Sequence, residues 1–183
     1  MVSNYQIDQK SIDKVRGMLT AGNNEVVGTI RKCKRDRTFS IMPFKQQGKQ
    51  TSHAISFPLK RYRIMFHTHP NSCRRNIDRK CSFDPPSAQD IVQMIEQYTQ
   101  YGTPISVVFT VNGTYIIYFK TGSVCNQCKQ IPDKITKLQN RLPPGPRFNS
   151  EYKKLFKCNC KSNKARCITL VHIKNIERTI IVD

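Results

Sequence analysis

The sequence predicts an α/β sandwich, and three observations carry that expectation. Short runs rich in β-branched and aromatic residues recur at residues 25–32, 38–44, 52–57, 62–67, 104–111 and 114–120. Two stripes at helical spacing separate them: Ile12, Val15, Met18 and Leu19 early, then Ile91, Val92, Met94, Ile95 and Tyr98. The order is therefore helix, strands, helix, strands, which sets helices against a sheet.

Each element has a local reason. Residues 1–7 read as a short leading strand or an unfixed end. Ser11 is the expected N-cap of the first helix, and Ala21-Gly22-Asn23-Asn24 turns the chain after it. Lys34-Arg35-Asp36-Arg37 reads as a charged turn, and residues 46–50 as a polar loop. Pro86 and Ser87 start the second helix. Asn112-Gly113 between two β runs is a two-residue hairpin signal. Further on, a helix is expected over 131–142, with Pro143-Pro144-Gly145-Pro146 breaking it. Phe148, Tyr152 and Phe156 stand at helical spacing and read as core. Residues 167–173 and 178–182 read as a closing hairpin turning near Lys174-Asn175.

Charge bounds the partners. The 31 Lys and Arg against 12 Asp and Glu give a net charge of +19. Such a field draws polyanions, whether nucleic acid, an acidic protein face or a membrane surface, without choosing among them. With 18 of the basic residues up to Lys120 and 13 beyond, the charge is not confined to a tail. No apolar run is long enough for a membrane-spanning helix. The first residues lack the apolar segment of a secretory signal, so an intracellular setting, cytoplasm or nucleus, is expected. Frequent Lys, Asn and Ile hint at an AT-rich genome, and with the compact length at a large DNA virus, in an infected host cell, or a parasite. In that setting clustered cysteines read as metal ligands before disulfides.

The densest chemistry is in Arg63-Ile64-Met65-Phe66-His67-Thr68-His69-Pro70, followed by Pro86-Ser87-Ala88-Gln89-Asp90. Alternate residues of a strand share a face, so His67 and His69 point the same way and can grip one metal ion. Asp90 supplies a third, oxygen ligand. Asp78 and Asp84 are nearer His69 in sequence, but only Asp90 has a serine three residues earlier and a helical pattern after it. Three N and O ligands leave a position for water, the pattern of a catalytic zinc site. Glu25, at the start of an upstream strand, is the candidate to take that water's proton. His53 and His172 read as ordinary histidines.

Together, Glu25-Val26-Val27-Gly28, His67-Thr68-His69-Pro70 and Ser87-Ala88-Gln89-Asp90 resemble the JAMM (JAB1/MPN) metalloprotease family, over about residues 8–120. The resemblance implies a deaminase-like three-layer sandwich, a mixed sheet flanked by helices. It implies that residues 1–120 form a JAMM-like catalytic domain. It also implies roles: His67, His69 and Asp90 bind zinc, Glu25 is the general acid/base, and Ser87 steadies the oxyanion. The implied substrate is an amide or isopeptide bond to ubiquitin or a ubiquitin-like modifier. One departure stands out: residues 71–86, with Cys73, Cys81 and several basic residues, make a longer link between Pro70 and Ser87 than the family pattern has.

Residues 121–183 fall outside the resemblance and form a basic, Cys-rich C-terminal region. Cys125-Asn126-Gln127-Cys128 and Cys158-Asn159-Cys160 suggest a second, structural zinc held by Cys125, Cys128, Cys158 and Cys160, with Cys167 able to replace a member of the tighter pair. Lys153, Lys154, Lys157, Lys161, Lys164 and Arg166 around it suit phosphate backbones or a solvated face. The competing expectation for the whole chain is thus a non-catalytic JAMM-like module that recruits nucleic acid through its charge. A nucleobase deaminase is set aside: it needs His-x-Glu and Pro-Cys-x-x-Cys, whereas here His69 stands for the Glu and Val124 precedes Cys125.

Overall fold

The chain's computed structural model describes residues 4–20, 25–33, 35, 38–44, 62–70, 85–119, 123–143, 145–157, 165–175 and 180–182. The elements in order are β1 (Asn4–Ile7), α1 (Gln9–Thr20), β2 (Val27–Cys33), β3 (Thr38–Pro43), β4 (Ile64–His69), α2 (Ala88–Tyr101), β5 (Ile105–Thr110) and β6 (Gly113–Phe119). They continue with β7 (Ser123–Val124), α3 (Asn126–Lys129), α4 (Ile131–Arg141), α5 (Pro146–Leu155), β8 (Ala165–Arg166), β9 (Ile168–Ile173) and β10 (Ile180–Val182). The strand expected over 52–57 lies outside the described residues.

Among the described residues, eight strands form one mixed sheet in the order β10-β1-β3-β2-β4-β5-β6-β9. β1 runs parallel to β3 and β4 parallel to β5; the other pairs are antiparallel. Strand alternation sorts the side chains. Ile64 and Phe66 of β4, Val107 and Phe109 of β5 and Ile116 of β6 pack with Ile12, Val15 and Leu19 of α1. Val108, Tyr115, Ile117 and Phe119 pack on the other face with Ile91 and Met94 of α2, Ile135 and Leu138 of α4, and Phe148 and Tyr152 of α5. The architecture is therefore mixed α/β, with α1 on one face of the sheet and α2, α4 and α5 on the other.

The described residues beyond 120 share the sheet and core of the preceding ones. They supply both edge strands, and α4 packs on α2. The expected closing hairpin is also corrected: β9 pairs with β6 and β10 with β1, at opposite edges of the sheet. Seven strand spacings of about 4.8 Å would hold those edges roughly 34 Å apart in a flat sheet. The seven residue steps from Ile173 to Ile180 span at most about 25 Å. The sheet must therefore curl, bringing its two edge strands toward each other.

Two local corrections follow from hydrogen bonding. Asp8, not Ser11, opens α1: its Oδ1 accepts from Ser11 N–H at 2.7 Å, and its carbonyl accepts from Ile12 N–H. Ser11 is buried in the first turn, where its hydroxyl accepts from Ile41 N–H at 2.9 Å and ties α1 to β3. At the β5–β6 turn, Thr110 pairs with Gly113, so the two-residue loop is Val111-Asn112. Gly113 has φ 134°, and a side chain there would strike the Ile173 carbonyl. No helix among the described residues is long and apolar enough to cross a membrane.

Candidate metal centre

β4 is the hub of the site. It is flanked by β2 and β5 and buried along nearly its whole length. Thr68 lies between the two histidines and is fully buried. Its Oγ1 accepts from Val26 N–H and its N–H donates to Val26 carbonyl, each at 2.9 Å. That double link fixes the chain just before β2 against β4 and carries Glu25 to the histidines. Gly28 completes the fit, because a Cβ there would collide with the Met42 carbonyl and the Phe66 ring. The glycine three residues after Glu25 is thus a packing requirement between β2 and its two neighbours.

The ligand atoms converge. His67 Nε2 and His69 Nε2 stand 3.1 Å apart. Asp90 straddles them, with Oδ1 3.3 Å from His67 Nε2 and Oδ2 3.3 Å from His69 Nε2. All three candidate ligand atoms lie within 4.8 Å of one another. Glu25 Oε1 is 3.9 Å from His69 Nε2. Exposure grades across the group, from 3% for the His67 side chain through 10% for His69 and 15% for Asp90 to 34% for Glu25. The carboxylate of Glu25 therefore stands at the mouth and the imidazoles at the floor.

Asp90 is held by its helix. Ser87 caps α2: its Oγ accepts from Asp90 N–H at 3.2 Å, and Asp90 Oδ2 accepts from Ser87 N–H at 2.6 Å. Ser-x-x-Asp is here a capping box. The same carboxylate that closes the box faces the imidazoles. Burial pushes the Asp90 pKa up, but the imidazoles, His67 first, outweigh it and hold the carboxyl well below its usual range. The rival carboxylates Asp78 and Asp84, and Cys73, Cys81 and His53, lie outside the described residues. His172 stacks on Tyr115, with ring centroids 4.3 Å apart, away from the ligand set.

Two supporting residues carry no sequence motif. Thr68 is one, legible only in that a strand puts it on the opposite face from the histidines. Tyr152 of α5 is the other. Its buried hydroxyl donates to the Pro86 carbonyl at 2.7 Å. That carbonyl and the Ser87 N–H belong to one peptide group, so Tyr152 holds one end of the plane whose other end binds Asp90. Burial, then the nearby Asp90 charge, pushes the Tyr152 pKa well up, so the hydroxyl stays a donor.

The donor set fits zinc, a borderline-soft ion that accepts both donor types: two imidazole nitrogens and one carboxylate oxygen converge from a strand and a helix start. A second convergence brings Cys125, Cys128 and Cys167 within 4.8 Å of one another at their sulfurs. Of the cysteines expected there, Cys125 and Cys128 are joined by the substitute, Cys167, while Cys158 and Cys160 lie outside the described residues. Compared with protein-family models, curated proteins and solved structures, the chain matches none.

Proposed function

We propose that the chain is a zinc-dependent metallopeptidase of JAMM type, hydrolysing an amide or isopeptide bond and removing ubiquitin or a ubiquitin-like modifier from a protein. The observation that supports it is the meeting of His67, His69 and Asp90 with Glu25 3.9 Å from His69 Nε2 at the open side. The substrate class rests on the motif resemblance; the residues themselves argue for metal-assisted hydrolysis.

His67, His69 and Asp90 would hold the metal. Bound there, zinc would supply Lewis acidity, lowering the pKa of water toward about 7 and polarising a carbonyl. Glu25 takes the proton from the attacking water and returns it to the leaving amine. Its exposure suits that role, since a base at the mouth reaches both the water and the departing group. Ser87 Oγ accepts from Asp90 N–H, which leaves its hydroxyl hydrogen to donate to the developing oxyanion. Thr68 keeps Glu25 in register with the histidines. The decisive experiment is Glu25→Gln on an isopeptide-linked substrate. Hydrolysis should fall about 10²- to 10⁴-fold while zinc content stays unchanged; full activity in this variant would refute the role.

A second reading has its own support. Lys134, Lys137 and Arg141 on α4 and Arg147, Lys153 and Lys154 on α5 are all exposed. On that reading the chain is a binding module that recruits nucleic acid, and the same Glu25→Gln protein should bind DNA or RNA tightly with a steep salt dependence.

A further inference from the structure

We infer that Cys125, Cys128 and Cys167 form a second metal site, taking a zinc ion as thiolates, independent of the histidine centre. The argument starts from strand register. β7 and β8 are a two-residue parallel pair, with Ser123 opposite Ala165 and Val124 opposite Arg166. The next residues on the two strands are Cys125 and Cys167, so the pairing delivers both sulfurs to one place. Cys125 then starts the α3 turn, with Cys128 N–H donating to its carbonyl at 3.0 Å. That turn brings Cys128 Sγ to 3.3 Å from Cys125 Sγ.

Cys125 and Cys167 are disulfide-bonded in the structure. Two adjacent sulfurs suit a crosslink or a shared metal equally. The third sulfur separates the two cases. Cys128 is outside the disulfide, fully buried, and accepts the Ile168 N–H at 3.1 Å. Three converging sulfurs are most of a tetrahedral thiolate site, and an N–H directed at one of them offsets the negative charge that the thiolates bring. Zinc is the class of ion that sulfur ligands and a buried setting favour. Zinc binding follows two-electron reduction of the Cys125 and Cys167 disulfide by a dithiol, which is itself oxidised to its disulfide; the three thiols then lose their protons to solvent, and the ion ties the start of α3 to the start of β9.

The test uses the full chain, reduced and purified, with zinc or cobalt as probe. Alkylation followed by peptide mapping should show Cys125, Cys128 and Cys167 protected together by zinc and released together by a chelator. Cobalt should give sulfur-to-metal charge-transfer absorption. That absorption should persist in His67→Ala/His69→Ala, so the result stands whether or not the histidine centre binds metal. Cys128→Ser should weaken cobalt binding at least about tenfold. Recovery of Cys125 and Cys167 as a disulfide-linked peptide from protein purified with zinc and without added reductant, or alkylation of the three cysteines indifferent to zinc, would overturn the site. The mapping needs no variant, so a misfolded Cys128→Ser does not blunt it.

Discussion

The two ligand clusters differ in almost every physical respect. At the β4–α2 junction the donors are nitrogen and oxygen, exposure rises from floor to mouth, and a spare carboxylate waits at the opening. At the β7–β8 pair the donors are sulfurs, Cys125 and Cys128 are buried, and a backbone N–H faces one of them. A metal held by three N and O ligands beside an accessible acid can admit water. One wrapped in thiolates mainly fastens the chain. On the proposed reading, reaction belongs to one region and cohesion to the other, although both lie along the same helical layer.

The strongest way to break that division is Glu25→Gln, which should cost about 10²- to 10⁴-fold in hydrolysis without loss of metal. The same variant should leave the cysteine centre untouched. Cys128→Ser should do the reverse. It should lower thermal stability and make the fold chelator-insensitive, while the activity of molecules that remain folded is kept.

Tyr152→Phe probes the link between the regions. It removes one buried hydrogen bond and leaves the Pro86 carbonyl short of a donor, costing about 1–3 kcal/mol. Because the same peptide group binds Asp90, zinc should also leave the histidine centre faster into a chelator, with no change at the cysteines. Equal release rates would make Tyr152 a core residue only.

The smallest effect serves as a control remote from both centres. Asp8→Ala should cost about 0.5–2 kcal/mol through loss of the α1 cap. Burial pushes the Asp8 pKa up, but Ser40 and Ser11 outweigh it and hold it below the ordinary 3.8. A depressed carboxyl stabilises fully above its ordinary value and stops doing so as pH falls through the folded one. The gap between the two proteins, followed by denaturant melts, should therefore be constant near neutrality and shrink in acid below 3.8.

What the sequence makes legible follows from periodicity. His67 and His69 share a face because strands alternate, and the helical stripe after Ser87 locates Asp90 in the first turn of α2. Those signals are local and survive folding. Cys167 is harder to place, since its position depends on a two-residue strand pair too short to carry a period. Tyr152 is harder still: its spacing says core, and nothing in a helical stripe reveals where a hydroxyl points. The closing strands mislead for a topological reason. Six intervening residues look like a hairpin turn, whereas the strands they separate lie at opposite edges of a curled sheet. Asp8 was hidden because Ser11 is equally good cap chemistry three residues later.

The division of labour rests on the histidines and Asp90 sharing one ion, and metal counting tests that most directly. Native mass spectrometry of the wild-type chain should find about two zinc ions, falling to one in His67→Ala/His69→Ala. An unchanged count in a folded double variant would mean that no metal sits at the β4–α2 junction, and the hydrolytic account would fail.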